Sequence, residues 1–188
     1  GINGLGRIGK LSLWHHVARK HFSGVVINIG REVGRNLADL ASMLEKDSTY
    51  GRLGSYLYGH KCPQVIEELN EEKGTMVVNG VPVTILRTAR NPRDIAWQEN
   101  GVKLVIDTTG VFTDPTTDPD SDKGALRGHM QAGAEKVILS APFKIKSKGL
   151  DMPTDAITTV MGINEEMYAA GQHSSKKLVP TKFSVLPW

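Results

Sequence analysis

The sequence predicts an α/β protein with a doubly wound, mostly parallel β-sheet, helices on both faces and an inserted β-hairpin. Short β-branched runs alternate along the chain with stretches whose apolar residues recur at helical spacing. The strand-like runs are residues 25–29, 104–107, 137–139 and 158–161, and the helix-like stretches are residues 8–21, 36–46, 125–132 and 165–170. This alternation is typical of strand–helix–strand units, because parallel strands need a crossover connection. The unbroken runs Val25-Val26-Ile27 and Leu104-Val105-Ile106 indicate strands that are buried on both faces.

One interval interrupts the alternation and predicts the hairpin. Residues 75–78 and 81–86 are rich in β-branched side chains and are joined by Asn79-Gly80. Asn-Gly accepts the positive φ angles of a type I′ turn, whose twist matches that of the flanking strands. Because Pro82 has no N–H to donate to a neighbouring strand, we expect the second hairpin strand at a sheet edge.

Two further boundaries are marked by glycine and proline. Gly133 follows the helix-like residues 125–132 and is expected at the position just beyond a helix end. Asn91-Pro92 is expected to start a short turn ahead of Trp97.

Composition and charge exclude several classes of protein. The chain has 188 residues, and Lys+Arg 23 against Asp+Glu 20 gives a formal net charge of +3. This excess is small, so a nucleic-acid partner is not expected. No apolar run reaches the roughly 20 residues of a membrane span and no charged-then-apolar leader is seen, so we expect a cytoplasmic protein without a membrane partner. The single cysteine, Cys62, excludes an internal disulfide and a Cys-based zinc site.

Several polar segments are expected to be structural, and no metal site is expected. Residues 114–122 are rich in Asp and Pro but lack the glycine and distal glutamate of a calcium-binding loop, which favours a solvated loop. Residues 143–149 alternate apolar and basic side chains, which favours an exposed edge or loop over a phosphate site. Cys62 is expected to be a structural thiol, since nothing evident would orient the nearby His60 as its base. The histidines at positions 15, 16 and 21 are expected at the surface of the first helix.

The strongest local pattern is a G-x-G-x-x-G sequence at residues 4–9. Gly4 allows a tight turn off a strand, Gly6 lets the backbone approach a pyrophosphate, and Gly9 lets the helix pack close to the sheet. The free N–H groups at the helix start, together with the positive end of the helix dipole, then bind the phosphate charge. A strand end precedes the pattern, and a helix and a second strand follow it. This frame favours a Rossmann-type dinucleotide site over an incidental glycine turn.

The end of the second strand bears on the choice of dinucleotide. An acidic residue that binds a ribose hydroxyl is expected about 20 positions after the glycines. That position holds Ile29, followed by Arg31 and Glu32. Arg31 is suited to pair with the 2′-phosphate of NADP and Glu32 to contact the ribose, and the alternative is that both side chains are simply solvated. The sequence favours tolerance of both NAD and NADP.

Short motifs then occur in one order along residues 1–168. They are GINGLGRIG (1–9), DSTYG (47–51), VNG (78–80), DTTGVFT (107–113), AGA (132–134), VILSAP (137–142) and VMGIN (160–164). Together they resemble the N-terminal, NAD(P)-binding domain of the glyceraldehyde-3-phosphate dehydrogenase family. The resemblance implies an oxidoreductase domain of glycolysis or its biosynthetic reverse, in which NAD or NADP accepts hydride from an aldehyde.

The resemblance also implies which residues contact the cofactor. Arg7 and Ile8 match residues whose backbone amides cap the pyrophosphate, and Arg90 matches a residue near the adenine. Thr109-Gly110 and Ser140 match turns on the nicotinamide side. The expected set is Gly4, Gly6, Arg7, Ile8, Gly9, Asn28, Arg31, Arg90, Thr109, Gly110, Phe112 and Ser140. The family is tetrameric, which makes a homo-oligomer one alternative, but much of the family's contact surface belongs to the half that is absent here, so the oligomeric state stays open.

The sequence departs from the family at two places. The ribose-binding aspartate of the family falls on Ile29, which weakens the implied preference for NAD. After the last motif the family continues to a segment with a nucleophilic cysteine, but residues 172–188 contain no cysteine. We therefore expect an NAD(P)-binding domain at residues 1–171, a divergent tail at 172–188 and no catalytic residue. Such a fragment or truncated product would bind a dinucleotide without turning over triose phosphate.

A non-enzymatic nucleotide-binding or interaction module is the alternative. Packing of residues 178–188 on the sheet as a substitute strand would favour this module, whereas disorder or pairing with another chain would favour a separated enzyme domain. Phe183 and Trp188 are the apolar residues of that segment. RNA binding by the dinucleotide fold is supported only by the mild basic excess.

Overall fold

The structure is a computed structural model that describes residues 1–31, 33–87, 89–146, 148–160, 162–164 and 167–168, together with the backbone of residues 177–182. It divides into two compact units, a first unit of Ile2–Thr88 and a second unit of Gly1 with Ala89–Trp188. Both units combine helices with parallel strands. The predicted fold class, an α/β protein with a mostly parallel sheet and an inserted hairpin, is therefore confirmed.

The first unit carries the amino-terminal strands and the hairpin. Its elements are β1 (Ile2–Asn3), α1 (Arg7–Arg19), β2 (Val25–Asn28), α2 (Leu37–Glu45), β3 (Lys46–Asp47), β4 (Gly51–Arg52), α3 (Leu53–Tyr58), a 3-10 turn (Gly59–Lys61), β5 (Ile66–Asn70), β6 (Thr75–Val78) and β7 (Val81–Leu86). Five strands lie in the order β1-β2-β7-β6-β5, and β3 and β4 form a separate antiparallel pair. The pairs β1/β2 and β2/β7 are parallel, and the pairs β7/β6 and β6/β5 are antiparallel.

The predicted hairpin and its turn are confirmed. β6 and β7 pair in antiparallel register around Asn79 and Gly80, whose φ angles of 51° and 73° are both positive, as a type I′ turn requires. The predicted place of this hairpin strand at a sheet edge is wrong, because β7 lies between β6 and β2.

The register explains why an internal strand tolerates Pro82. Val78 and Val81 close the turn, so the next pair, Val77 and Pro82, is one whose backbone N–H groups point away from the partner strand. On the other side, β2 pairs with β7 only from Val83 onward. The N–H that proline lacks is therefore one that neither neighbouring strand uses.

The buried face of α1 corrects one expectation about its histidines. This face includes Leu13 and Val17, and His16 is buried with them, whereas His15 and His21 are exposed as expected. His16 follows Leu13 by three residues, a spacing that places both on one side of a helix. Burial is the main cause that lowers the pKa of His16.

Four elements of the first unit, besides its 3-10 turn, were missed because they are short or lack an apolar pattern. α3 has six residues and β3 and β4 have two each. In β5 only Ile66 is buried, so the alternation that marks a half-buried strand is missing. Glu68 in β5 has a φ of 51°, and the pairing with β6 shifts register around it, as at a β-bulge.

The second unit contains the remaining parallel strands. Its elements are a 3-10 turn (Pro92–Asp94), β8 (Leu104–Asp107), α4 (Gly128–Gln131), β9 (Lys136–Leu139), β10 (Thr159–Val160) and β11 (Lys177–Lys182). The strand order is β8-β9-β11-β10, and all three pairs are parallel. The turn predicted at Asn91-Pro92 is confirmed, and the Asn91 side chain accepts the N–H of Arg93 at its start. The helix predicted over residues 125–132 is shorter, since separate turns at residues 125–128 precede α4.

The loop at 114–122 and the described residues of the loop at 143–149 are irregular, as predicted, but the first loop is not simply solvated. Asp114 is buried and accepts hydrogen bonds from the N–H and the hydroxyl of Thr116 at 2.9 and 2.6 Å and from the N–H of Lys146 at 2.8 Å. Burial acts to raise the pKa of Asp114, but these hydrogen bonds outweigh it and lower the pKa. The carboxylate thus joins the two loops.

Some sequence-based expectations fall outside the described residues. They are the ribose contact by Glu32, most of the helix at 165–170, and the apolar tail residues Phe183 and Trp188.

Gly133 occupies the predicted position just after α4, with a φ of 107°. A Cβ at this position would lie 2.6 Å from Cβ and 3.1 Å from Cα of Gln98. We expect Gly133→Ala to lower the free energy of unfolding by about 3 kcal/mol, because left-handed strain adds to an overlap with backbone atoms.

Gly101→Ala is the matched control, because Gly101 also has a positive φ, 65°, but no described heavy atom lies within 4 Å of its built Cβ. This control should cost about 1 kcal/mol from backbone strain alone. Urea unfolding followed by circular dichroism measures both variants, and equal losses would contradict the packing argument.

Candidate cofactor-binding site

The turn from β1 to α1 is the first part of the site. Gly4 has a φ of 94°, and its N–H donates to the Asn28 carbonyl at 2.9 Å, which fixes the turn above the β1/β2 pair. Gly6 is the N-terminal cap residue of α1. Among the described residues, no side chain caps this helix and no heavy atom lies within 4 Å of a Cβ built at Gly6. The space around the Gly6 Cβ position is therefore open beside a helix start without a side-chain cap, as an anion site at a helix N-terminus requires.

Gly9 and Ile8 continue this turn into the helix. Gly9 is buried and Ile8 is half-buried, as expected for residues that bring α1 close to the strands. The first turn of α1 contains no acidic residue, so no carboxylate there opposes a phosphate.

The side chain of Arg7 contacts the β3/β4 turn. Its Nε lies 3.5 Å from Asp47 Oδ2, and its Nη2 donates to Ser48 Oγ at 3.1 Å. Lys10 Nζ lies 3.2 Å from the same carboxylate. The guanidinium of Arg7 is thus engaged by Asp47 and Ser48.

Asp47 is a strongly stabilised carboxylate. The N–H of Thr49 is the main cause that lowers its pKa to about 2, with the N–H of Tyr50 and the ammonium of Lys10 acting in the same direction against the effect of burial. Asp47 therefore stays ionised and ties the β3/β4 turn to the first turn of α1.

The residues at and after the end of β2 match only in part those expected to contact the ribose of the cofactor. Asn28 is buried, and its Nδ2 donates to Asn3 Oδ1 at 2.9 Å, so its side chain secures the strands below the glycine turn. Ile29, at the position of the family's aspartate, is 4% exposed and packs in the core. It supplies no carboxylate for a ribose hydroxyl. Arg31 is exposed two residues later.

The second unit brings three expected residues together at the carboxyl ends of β8 and β9. Asp107 ends β8, and its Oδ1 accepts the N–H and the hydroxyl of Thr109 at 3.0 and 2.7 Å. The N–H of Ser140, just after β9, donates to the Asp107 carbonyl at 3.0 Å. Gly110 follows Thr109 with a φ of 68° and is exposed. Ligands of open α/β sheets bind outside this end of the strands.

The last two expected residues lie elsewhere in the second unit. Phe112 is half-buried and packs against Gly124, where a Cβ would come within 2.7 Å of its ring. Arg90 is exposed immediately before the 3-10 turn.

Sequence reasoning missed a buried polar group behind Asp107. His129 and Trp97 are both fully buried, and His129 Nε2 lies 3.0 Å from Asp107 Oδ2. The sequence shows Asp107 at the end of an apolar strand-like run and His129 inside a helix-like segment. Nothing in the sequence indicates that these two residues are in contact.

The sequence matches the family model for glyceraldehyde 3-phosphate dehydrogenase, NAD binding domain, over residues 1–115. The chain belongs to this family. Within the matched range lie all the expected contact residues except Ser140. The NAD-binding domain thus confirms NAD or NADP as the cofactor class that was predicted.

Curated relatives extend the similarity beyond the matched range. The glyceraldehyde-3-phosphate dehydrogenase of Heyndrickxia coagulans is 35% identical over 173 residues, which is 92% of this chain and 41% of the relative. That of Geobacillus stearothermophilus is 34% identical over 176 residues, 92% of this chain and 42% of the relative. The cytosolic enzyme of Gracilaria gracilis is 34% identical over 168 residues, 89% of this chain and 40% of the relative. The chain spans about two fifths of the length of these relatives.

The described residues also bear on a membrane span and on a metal site. In the described part of the chain, no helix is long and apolar enough to cross a membrane. The described His, Cys, Asp and Glu side chains form no group that could hold a metal ion.

Asp47 predicts a defined acid dependence of stability. Because its pKa falls from 3.8 to about 2 on folding, the carboxylate stabilises the fold above about pH 4, and this contribution is lost as the pH drops toward 2. Asp47→Asn should therefore reduce the decline in the free energy of unfolding between these pH values. Urea titrations at successive pH values measure it, with the exposed Asp151→Asn as control, and a slope unchanged from that of the unaltered chain would contradict the assignment.

Proposed function

We propose that the chain binds the pyrophosphate of NAD or NADP on the first turn of α1, as part of a glyceraldehyde-3-phosphate dehydrogenase. The observation that carries this proposal is the open space at Gly6 beside uncapped helix N–H groups, in the described residues. A side chain at this position would occupy the space through which a phosphate oxygen reaches those N–H groups. The positive φ of Gly4 and its bond to Asn28 hold the turn in this form before ligand arrives.

The remaining contacts follow from the resemblance and are supported by local geometry. Thr109, Gly110, Phe112 and Ser140 would line the nicotinamide side, and Arg90 would lie near the adenine. Support for Thr109, Gly110 and Ser140 is their common location beyond the carboxyl ends of β8 and β9, whereas Phe112 packs elsewhere in the second unit. The chemistry that the cofactor supplies when bound is hydride acceptance.

We propose that both NAD and NADP bind. Ile29 packs in the core at the position of the family's aspartate, so no carboxylate there would repel a 2′-phosphate. Arg31 is exposed nearby along the chain and is suited to pair with that phosphate.

We also propose that residues 1–188 do not by themselves turn over triose phosphate. Phosphorylating aldehyde oxidation needs a thiolate nucleophile with an oriented base. Cys62 is the chain's one cysteine, and its sulfur accepts a hydrogen bond from Ser55 Oγ at 3.2 Å. A structural thiol accounts for that contact.

A second candidate function is a nucleotide-binding module that acts without catalysis. Its favouring observation is β11, which pairs in parallel with β9 on one side and with β10 on the other. The pairing of residues 177–182, part of the proposed tail at 172–188, supports a self-contained module, which requires a substitute strand from this segment. A homo-oligomer and a cytoplasmic location stay predictions; one relative carries the word cytosolic in its name.

Gly6→Ala tests the pyrophosphate proposal. With a φ of −74° and open space around it, this residue should accept Ala with little change in stability. The added methyl group should weaken NAD binding at least tenfold in calorimetry, or by about 1.4 kcal/mol. Gly101→Ala should leave the affinity unchanged. NAD binding that is equally tight in the Gly6 variant would contradict the proposal.

Arg31→Ala tests the proposed contact with the 2′-phosphate. We expect a loss of roughly tenfold in NADP affinity with NAD affinity unchanged, because only NADP carries that phosphate. Arg35→Ala is the matched control, since its guanidinium is exposed and lies 3.8 Å from Asp39. Parallel losses for the two cofactors, or none, would argue for a solvated Arg31.

A turnover assay separates the enzyme from the module. The purified chain, given NAD or NADP, glyceraldehyde 3-phosphate and phosphate, should form no reduced cofactor. Formation of reduced cofactor that depends on both the aldehyde and the chain would show that these residues do carry the catalytic chemistry.

A further inference from the structure

The structure contains a chain of hydrogen bonds that begins in the core of the second unit and ends on the Thr109 turn. Trp97 Nε1 donates to His129 Nδ1 at 2.9 Å, and His129 Nε2 lies 3.0 Å from Asp107 Oδ2. The side chains of Trp97, His129 and Asp107 are fully buried. The other carboxylate oxygen of Asp107 accepts the N–H and hydroxyl of Thr109.

The donor and acceptor roles along this chain follow from its first member. An indole N–H can only donate, so His129 Nδ1 must accept and the ring proton must be on Nε2. Nε2–H then donates to Asp107 Oδ2, which leaves Oδ1 to accept both groups of Thr109. Each bond therefore has one direction, and the Thr109 hydroxyl, which donates to Asp107, has its lone pairs left to accept the N–H of Val111 at 3.2 Å.

A purely structural role does not account for this arrangement. A buried carboxylate and its partners cost desolvation free energy, and apolar residues of the same volume often stabilise a core as well or better. The chain of hydrogen bonds also ends on the Thr109 turn, at the carboxyl end of β8, and not on another buried element. The Asp107 carbonyl further accepts the N–H of Ser140, so one residue holds both turns of the proposed nicotinamide side.

We infer that Trp97, His129 and Asp107 are positioning residues that orient the Thr109–Gly110 turn toward the nicotinamide half of the cofactor. This inference rests on the proposed function, in which that turn contacts the nicotinamide. The three residues touch no cofactor atom themselves in this account. They act by fixing the Thr109 N–H and hydroxyl, and through them the exposed Gly110.

The test compares NAD with ADP-ribose, which lacks the nicotinamide, by calorimetry on the full chain. Trp97→Phe removes one N–H and keeps an aromatic ring in place, so His129 loses the bond that orients it. We expect its NAD affinity to fall about tenfold, toward that for ADP-ribose, and its ADP-ribose affinity to stay unchanged. Asp107→Asn alters the other end of the hydrogen-bond chain and should give the same selective loss of NAD affinity. This variant carries the test if Trp97→Phe does not fold.

Trp14→Phe is the matched control for a merely structural effect. Trp14 is also fully buried, and its Nε1 donates to the Leu44 carbonyl at 2.7 Å in the first unit. This variant should be destabilised to a similar degree without any change in the ratio of NAD to ADP-ribose affinity. A loss of both affinities in parallel in Trp97→Phe, or of neither, would overturn the inference while leaving the proposed function intact.

The unaltered chain supplies two further outcomes. Equal affinities for NAD and ADP-ribose would overturn the inference together with the proposed nicotinamide contacts, but not the proposed pyrophosphate site, because the turn would then contribute nothing to nicotinamide binding. Binding of neither ligand would overturn the proposed function and this inference with it. Nitrogen-15 spectra of histidine-labelled chain should show the His129 proton on Nε2, and a ring protonated on Nδ1 would overturn the hydrogen-bond directions.

Discussion

The architecture of the site depends on what the backbone does where β1 ends. Gly4 must turn with a positive φ while donating to the Asn28 carbonyl, and Gly6 must start α1 without a side chain in the way. Residues with a Cβ adopt the first geometry only with strain. The same turn leaves helix N–H groups uncapped among the described residues, a cost that a bound phosphate offsets. The backbone geometry of this turn and its capacity to bind an anion therefore depend on the same two glycines.

The second unit repeats this principle with different atoms. The carbonyl of the last residue of β2 holds the turn after β1, and the carbonyl of the last residue of β8 holds the turn after β9. In both cases a strand end accepts an N–H from the loop that follows its parallel neighbour. Asp107 adds a side-chain bond, because the Thr109 turn has a hydroxyl as well as an N–H to place. The turn directly after β1 and the turn directly after β9 are thus each held by the neighbouring strand of the sheet.

The fold class, the hairpin turn and the glycine motif could be predicted from the sequence because they depend on local features. These features are the spacing of apolar residues, residues that accept positive φ angles, and glycines without side chains. Sequence reasoning failed for Pro82, whose tolerance depends on the register with two neighbours, one of which pairs only from Val83 onward. It failed for His16 because helix spacing was not applied to a polar residue, and for the Trp97–His129–Asp107 group because 32 residues separate its first two members. The site residues themselves came from family resemblance and glycine geometry, and their contacts with cofactor stay proposals.

The most direct measurement follows the backbone N–H signals of Arg7 and Ile8 in nitrogen-15 correlation spectra during a titration with NAD. If the first turn of α1 holds the pyrophosphate, these two signals shift to saturation together and with the affinity measured by calorimetry. ADP-ribose, which keeps the pyrophosphate, should shift them in the same way. Signals that stay in place while NAD binds would contradict the account, because the cofactor would then be held elsewhere.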